Sequence, residues 1–283
     1  MKKYFCFGVA LALNTIVLLA QQTTFSVKNK QNLPKAIVFN LSQDNQLHLS
    51  LVSSGKFKMG TPNGRLVKIY DEKEHKVTIS ENFYMGKYEV TQKQFKSVMG
   101  YNPSALKGDN HPVENLSWQE SMNFCKELNK KFKKEIPAGY HFSLPTEAQW
   151  EYACKAGKNS DFNNGKNLSS KTKCKRSNSI SWNSLNSKNT HHDVGQKQPN
   201  DWGLYDMHGN VWEMCLDWYG EYDKIEKDPT GPSKGTQKVV RGGSFENLPR
   251  YGRSSDRHLE YPNQKLKNKG FRIVLTKAPS NQQ

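Results

Sequence analysis

The segment Gly203–Met214 constrains this chain more than any other part of its sequence. It carries two carboxylates, Asp206 and Glu213, seven positions apart, with Gly209 and Asn210 between them. Gly-Asn pairs favour tight turns, and such a turn can bring both carboxylates and its own carbonyl oxygens towards one point. Hard cations such as calcium bind an all-oxygen shell of this kind. The alternative from spacing alone is a tight turn that only buries the neighbouring aromatic side chains.

The N-terminal part of the chain predicts export. Two lysines precede an apolar run within residues 1–20, which is typical of a signal peptide; a retained N-terminal anchor is the alternative. Residues 21–46 are polar and predict a linker. We expect the folded domain at 47–277, followed by a tail at 278–283. The predicted location is the periplasm, the cell surface or the extracellular space, with no stable membrane span after signal cleavage.

The charge of the chain narrows the classes of partner. The 283 residues allow one large domain or two small ones. The formal net charge is +16, and removal of residues 1–20 takes away two lysines and no acid, which leaves +14. The lysines are scattered and lack the interleaved aromatics of a nucleic-acid groove, so no nucleic acid partner is expected. A solvated basic surface favours acidic glycans or an anionic envelope surface.

Four cysteines lie beyond the predicted signal peptide. They are Cys125, Cys154, Cys174 and Cys215. Export would permit disulfides, and four cysteines allow three full pairings among which the sequence does not choose. The chain has no Cys-x-x-Cys pair, so neither a zinc ribbon nor a redox motif is indicated.

Three helices are predicted from one shared N-terminal signature, a Ser or Thr followed three positions later by Gln or Glu. The signatures begin at Thr91, Ser117 and Thr146. In each, the hydroxyl caps one exposed amide and the Glu or Gln side chain reaches back to another. Aromatic residues make up 11% of the chain, so we expect a loop-rich fold with an aromatic core.

The remaining elements follow from apolar runs and turn residues. The predicted extended segments are Leu47–Met59, Lys76–Val90, Val239–Phe245 and Gly270–Leu275. About forty residues after Gly157 are rich in Asn, Ser and Lys and predict a long loop. Loops of that length in a compact domain are usually functional or are held by a ligand.

Nine short motifs occur in a fixed order along the chain. They are Phe57-Lys58-Met59-Gly60, Tyr88-Glu89-Val90-Thr91, Pro112-Val113, Ser117-Trp118, Leu144-Pro145-Thr146-Glu147-Ala148-Gln149-Trp150-Glu151-Tyr152-Ala153, Gly203-Leu204-Tyr205-Asp206-Met207, Gly209-Asn210-Val211-Trp212-Glu213, Arg241-Gly242-Gly243-Ser244 and Gly270-Phe271-Arg272. Together they resemble the sulfatase-modifying factor family, whose founding activity is the formylglycine-generating enzyme. The resemblance implies an irregular, loop-rich α+β fold of the C-type-lectin-like kind.

The resemblance also implies structural calcium at the segment described first. Asp206 and Glu213 would supply side-chain oxygens, and Gly209 and Val211 would supply carbonyl oxygens. This agrees with the reading of the residues themselves. Calcium is therefore the expected cofactor.

What the chain lacks bears on catalysis. The founding enzyme resembles a copper oxidase that holds Cu(I) through two cysteines after its Gly-Gly-Ser turn, and soft thiolates suit that ion. The corresponding positions here are Asn247 and Gly252, and no cysteine follows Cys215. Copper is not expected and no residue is assigned as catalytic. The implied disulfide partners of Cys125 and Cys154 are also absent, so both are expected to be buried free thiols.

A ligand site is predicted beside the Gly-Gly-Ser turn. By resemblance Ser244 and Asn247 line the family's cleft, and Arg250, Arg253 and Arg257 would form a basic rim that grips an anion or a peptide backbone. The alternative is a solvated loop.

The sequence favours a calcium-stabilised binding or accessory protein of the cell envelope. Its ligand would be a protein, a peptide or an anionic glycan. The alternatives are a formylglycine-generating oxidase acting on sulfatase cysteines, another oxidase with a recruited metal, and a purely structural envelope component.

Overall fold

The computed structural model describes residues 33–222 and 226–277. The strands in these ranges are β1 (Ala36–Ser42), β2 (Asn45–Val52), β3 (Gly55–Met59), β4 (His75–Ile79), β5 (Phe83–Gly86), β6 (Tyr140–Ser143), β7 (Ser181–Trp182), β8 (His208–Gly209), β9 (Trp212–Trp218), β10 (Lys238–Arg241), β11 (Arg257–Glu260), β12 (Lys269–Gly270) and β13 (Val274–Lys277). The helices are α1 (Gln92–Met99), α2 (Trp118–Lys131), α3 (Glu147–Lys155) and a 3-10 turn at Pro249–Gly252. The predicted signal peptide and C-terminal tail lie outside the described residues.

Two curled sheets organise the domain. The larger has the strand order β1-β2-β5-β13-β6, and all its neighbours run antiparallel. The smaller has the order β11-β10-β9-β12, with β12 parallel to β9. The predicted C-terminal strand Gly270–Leu275 is only partly confirmed, because residues 271–273 separate β12 from β13. Strand β13 lies inside the larger sheet, where Val274 pairs with Met85 on one side and with Ser143 on the other.

The folded domain begins before the predicted boundary at residue 47. Strand β1 lies within the predicted linker and pairs with β2, so that Phe39 faces Leu47 across the ladder. Phe39 and Leu41 are buried while the residues next to them are exposed, the period-two pattern of a half-buried strand. The linker prediction is therefore wrong for residues 36–46, because the alternating apolar side chains decide the structure of this polar stretch.

Two further predicted segments, Leu47–Met59 and Lys76–Val90, each divide into two strands. The break between β2 and β3 falls at Ser53 and Ser54, and the break between β4 and β5 falls at residues 80–82. Side chains hold both turns: Asn82 Oδ1 accepts from the amide of Ser54 (2.7 Å), and Asp228 Oδ1 accepts from the amide of Ser80 (2.8 Å). Short polar residues at these positions favour turns over continued strands.

All three helix starts are confirmed. Each predicted Ser or Thr caps its helix, and each capping box is complete in both directions. At α1, for example, Thr91 Oγ1 accepts from the amide of Gln94 (3.2 Å) and Gln94 Oε1 accepts from the amide of Thr91 (2.9 Å). Helix α1 ends at Gly100, whose positive φ of 82° glycine adopts without strain.

The core is aromatic, as the composition predicts. Phe39 packs against Phe132 and Phe142, with ring centroids 4.9 Å and 5.0 Å away, and Phe95 stacks on Phe124 at 5.5 Å. These contacts fix α1 and α2 against the larger sheet. Such pairs contribute about 0.5–1.5 kcal/mol each beyond the area they bury.

The loop-rich character and the free thiols are also confirmed. Between α3 and β8, residues 158–207 contain β7 as their one strand. Cys125, Cys154, Cys174 and Cys215 are all buried and unpaired. In the ranges that the structure covers, no helix is long and apolar enough to span a membrane.

Candidate functional site

The segment around Gly209 follows a sharply bent path between the long loop and β9. Asp206, Gly209 and Asn210 have positive φ angles of 56°, 86° and 58°. A Cβ atom on Gly209 would lie 2.0 Å from the carbonyl oxygen of Trp182, so this position requires glycine. The amide of Gly209 donates to the carbonyl of Gly242 (2.7 Å), which ties this turn to the Gly-Gly-Ser turn.

Asp206 is buried, and one of its two carboxylate oxygens has a partner. Oδ2 accepts from the amide of Gly195 (2.6 Å), whereas Oδ1 has no hydrogen-bond partner. Burial raises the pKa of Asp206 to about 6; the charge of Glu213 adds to the shift, and the Gly195 amide and Arg272 oppose it. Because a buried oxygen without a partner is destabilising, Asp206 fits a site that a cation would complete.

Protein donors already occupy the other predicted carboxylate ligand, Glu213. Its Oε2 accepts from Trp150 Nε1 (2.6 Å) and Arg272 Nε (2.6 Å), and its Oε1 lies 2.5 Å from Arg272 Nη2. Arg272 also donates to the carbonyls of Gly86 (3.0 Å) and Tyr205 (2.9 Å). A calcium ion at Glu213 would therefore have to share the carboxylate with a buried guanidinium.

A third carboxylate, Glu89, belongs to this site although the sequence did not assign it a role. Its Oε2 accepts from Asn210 Nδ2 (2.6 Å), and its Oε1 accepts from the amide of Val211 (3.1 Å). Burial raises the pKa of Glu89 well above its usual range, and the charges of Asp206 and Glu213 act in the same direction. Glu89 thus holds the turn that carries the predicted calcium ligands.

Two positive side chains oppose the three carboxylates, Arg272 and, at Asp206, Lys197, so full ionisation would leave one negative charge uncompensated. A divalent cation would offset it. In residues 33–222 and 226–277, no group of three or more His, Cys, Asp and Glu side chains is arranged to hold a metal ion. The predicted calcium shell differs from such a group, because it combines the side chain of Asp206 with backbone carbonyls of Gly209 and Val211. Calcium therefore stays a prediction, and Asp206 is the side chain that fits it best.

The Gly-Gly-Ser turn holds its residues tightly. Gly242 and Gly243 have φ angles of 92° and 73°, and a Cβ atom on Gly243 would lie 2.9 Å from the carbonyl oxygen of Tyr251. The hydroxyl of Ser244 donates to the side-chain oxygen of Asn247, Oδ1 (2.6 Å), and the backbone amide of Asn247 donates to the backbone carbonyl of Ser244 (3.0 Å). The structure therefore brings Ser244 and Asn247 together. The buried hydroxyl of Ser244 forms its hydrogen bond within the turn.

Backbone packing fills the second position where the resemblance places a copper thiolate. A Cβ atom on Gly252 would lie 3.2 Å from the Gly242 carbonyl oxygen, and the Gly252 carbonyl accepts from Nδ1 of His208 (2.6 Å). Burial lowers the pKa of His208 to about 4, and its Nε2 accepts from the amide of Asn163 (3.1 Å). Cys154 lies 3.7 Å from that Nε2, but burial raises the pKa of its thiol to about 12. The turn therefore has no thiolate pair.

Two of the three predicted rim arginines are buried. Arg253 is fully excluded from solvent; it donates to both carboxylate oxygens of Glu72 (2.8 Å each) and to Asp256 (2.7 Å). Arg257 donates to both oxygens of Glu147 (2.9 Å and 2.6 Å). The predicted rim is wrong for these residues, because acidic partners distant in sequence draw both guanidinium groups into the interior.

Arg250 is the one of the three that keeps partial exposure. It donates to the hydroxyl of Tyr251 (2.7 Å), and its guanidinium lies 4.6 Å from the centre of that ring. Arg250 can therefore still reach a ligand, together with the half-buried Asn247.

Comparisons with known proteins give one consistent family. The profile of the sulfatase-modifying factor enzyme 1-like domain matches residues 36–277. The chaperone protein LppX of Paenibacillus barcinonensis is 32% identical over 235 residues, which cover 70% of this chain and 78% of LppX. The formylglycine-generating enzyme of Mus musculus is 31% identical over 194 residues, 64% of this chain but 48% of the mouse enzyme.

A solved structure supports the fold. The Treponema denticola variable protein 1 superposes with a TM-score of 0.75 at 24% identity, over 86% of this chain and 99% of that one. The profile match begins at the first strand of the structure and ends with the last, and it includes the Asp206 turn and the Gly-Gly-Ser turn. The chain therefore belongs to the sulfatase-modifying factor family.

Proposed function

We propose that this chain is an exported accessory or binding protein of the cell envelope. It uses the family scaffold for recognition instead of copper-dependent oxidation of a substrate. The turn at Ser244 carries the proposal. A copper oxidase of this family would need two thiolates at these positions. Here Asn247 Oδ1 accepts a hydrogen bond from the Ser244 hydroxyl (2.6 Å), and Gly252 packs against the Gly242 carbonyl. Neither position offers the soft ligand that Cu(I) prefers.

The likeness to LppX suggests what kind of partner is bound. That relative carries the name of a chaperone protein and aligns over most of both chains. By analogy, we assign this chain a protein or peptide client, with an anionic glycan as the second ligand class. The family fold alone does not decide between them.

The surface depressions fit a broad partner better than an enclosed small molecule. One depression, lined by residues that include His75, Tyr222 and Arg257, has about 320 Å³ of empty space. Another, beside Tyr88 and Gln94, has about 240 Å³. Both figures include space that is open to solvent, so neither depression is an enclosed cavity of the size that small-molecule sites usually have, about 300–1,000 Å³. A client would therefore bind across an open surface, and we place it near Arg250 because that side chain keeps partial exposure beside the Gly-Gly-Ser turn.

Calcium would stabilise this scaffold by its occupation of the Asp206 turn. The oxygen of Asp206 that lacks a partner, and the surplus of buried carboxylate, support this assignment. Asp206, Glu213 and the carbonyls of Gly209 and Val211 would hold the ion. When bound, calcium would supply positive charge and fix the long loop that precedes β8, without a part in redox chemistry.

A second candidate function is formylglycine formation, which the 31% identity to the mouse enzyme favours. A competition titration against a chromogenic Cu(I) chelator separates the two. The binding protein leaves Cu(I) with the chelator, whereas an oxidase that recruits copper by another route withdraws one equivalent.

N-terminal sequencing of the protein from its native envelope tests export: a start near Gln21 supports it, and an intact Met1 in a soluble cell extract contradicts it.

A further inference from the structure

The connection between β3 and β4 concentrates exposed apolar side chains. Eight large apolar residues are exposed in the described part of the chain. Three of them, Leu66, Ile69 and Tyr70, lie inside this connection, within a stretch of five residues. Tyr70 is 90% exposed, against 46% for Leu66 and 42% for Ile69. Residues 60–74 are hereafter the β3–β4 loop. Single exposed apolar residues are normal on a protein surface, whereas several in one short segment point to a site of interaction.

Buried contacts at the base and along the length of the β3–β4 loop hold it in place. At its base, the Thr61 amide donates to the Glu72 carbonyl (2.8 Å), and the buried carboxylate of Glu72 binds Arg253 through two hydrogen bonds of 2.8 Å. Midway, Val67 packs against a buried cluster that includes Phe162. The loop therefore presents its apolar side chains on a fixed base.

The hairpin below the β3–β4 loop is basic. Lys58 faces Lys76 across the ladder, and both are exposed. Three further lysines on the hairpin and loop are exposed as well; they are Lys56, Lys68 and Lys73.

The acidic residues of the same segment all have partners. Glu72 is buried against Arg253, Asp71 accepts from the hydroxyl of Tyr219, and Glu74 pairs with Lys58 at 3.3 Å. The pair with Glu74 offsets the charge of Lys58, and the other four exposed lysines leave the hairpin positive.

We propose that the β3–β4 hairpin is a membrane-binding finger that docks on an anionic lipid surface. Leu66, Ile69 and Tyr70 would enter the boundary between headgroups and acyl chains, where an amphipathic tyrosine ring is well placed. The lysines of the hairpin would lie among anionic headgroups. A protein partner is the competing occupant, but exposed lysines on the same hairpin as exposed apolar side chains match the combined chemistry of a bilayer surface, anionic headgroups beside acyl chains. The inference requires neither calcium nor a client.

Vesicle flotation tests this proposal. The predicted apolar signal segment could itself enter lipid, so the test uses the chain from Gln21 onward, which retains the compact unit that begins at Leu33. The probes are vesicles of phosphatidylglycerol with phosphatidylethanolamine, and vesicles of phosphatidylcholine alone. We expect flotation with the anionic vesicles and its loss at high salt, because mobile ions screen exposed charges.

Matched variants assign the binding to the finger. Leu66→Ser/Ile69→Ser/Tyr70→Ser should weaken binding at least about tenfold, whereas Leu185→Ser/Tyr261→Ser removes exposed apolar side chains elsewhere and should bind as the parent does. Both variants should melt as the parent does, because exposed substitutions change stability little. The single variant Tyr70→Trp adds a direct readout: its fluorescence should shift to the blue with anionic vesicles. Absence of flotation by the parent chain, or equal flotation of the loop variant and its control, would overturn the proposal.

Discussion

Glu213 and Arg272 form a buried ion pair across 59 positions of sequence, with side chains 1% and 0% exposed and a closest approach of 2.5 Å. The pair joins β9 to the segment that precedes β13, at the turn where calcium is predicted. Removal of one partner from a buried ion pair costs about 3–5 kcal/mol, because the other charge is left in the interior. We expect this loss for Arg272→Met, measured by urea unfolding.

Glu213→Gln separates the ion pair from the predicted metal role. If Glu213 serves Arg272 alone, the variant loses the same free energy of unfolding with calcium and with chelator. If Glu213 also binds calcium, the loss of free energy of unfolding is larger with calcium than with chelator, because the variant also loses the stabilisation that calcium supplies. The parent chain under both conditions is the reference.

Calcium should raise the stability of the domain through Asp206. Binding to the native state alone stabilises by mass action, so chelation should lower the melting temperature by several degrees, or about 1–3 kcal/mol. Asp206→Asn should remove this difference, and Asp201→Asn, a change at an exposed carboxylate, should keep it. Identical melts of the parent with calcium and with chelator, on protein shown to be free of metal, would rule out this role.

Asp217 should make stability depend on pH. Burial raises its pKa to about 7, and the charge of Glu147 adds to the shift. The folded state then binds this proton more tightly than the unfolded state. Its contribution to stability is complete below the unfolded pKa of about 4 and is lost as the pH rises to about 7.

The variant Asp217→Asn tests that assignment. It removes the titration and keeps an oxygen that can accept from the Glu147 amide, as Asp217 Oδ2 does at 2.8 Å. The parent should lose on the order of 1–4 kcal/mol more than the variant between pH 4 and pH 7. Parallel stability curves for the two proteins would show that folding does not raise the pKa of Asp217.

The arginines after the Gly-Gly-Ser turn should differ in how much they contribute to folding stability. Arg253→Ala leaves Glu72 and Asp256 without their buried partner and should cost about 3–5 kcal/mol of folding stability. Arg250→Ala removes a half-exposed side chain and should change stability by less than about 0.5 kcal/mol. Equal effects of the two substitutions in chemical unfolding would contradict the burial of Arg253.

How much the sequence predicts depends on the range of the interactions involved. The starts of the helices at Thr91, Ser117 and Thr146 are set by bonds over three positions, so the residues there suffice. Strand β1 is harder to predict, because its apolar residues, Phe39 among them, are separated by polar ones. Overall composition hides this alternation, and its buried face exists only once β2 pairs with it.

The site follows the same rule. Asp206 and Glu213 were found from one local motif, but the hydrogen bond between Glu89 and Asn210 spans 121 positions, and the Glu72–Arg253 pair spans 181. A signal for Glu89 and Arg272 was present, since each is a charged residue beside apolar ones in a short motif of the chain. Such residues are buried only with a partner, and the sequence does not name that partner.

The central claim is that this member of the family binds and does not oxidise. The most direct measurement is mass spectrometry of a cysteine-containing sulfatase peptide after incubation with the protein, copper and oxygen, with an active formylglycine-generating enzyme as the positive control. With Asn247 and Gly252 where thiolates are needed, we expect the peptide to keep its cysteine while the control converts it. Replacement of the cysteine thiol by an aldehyde, dependent on this protein, would contradict the account.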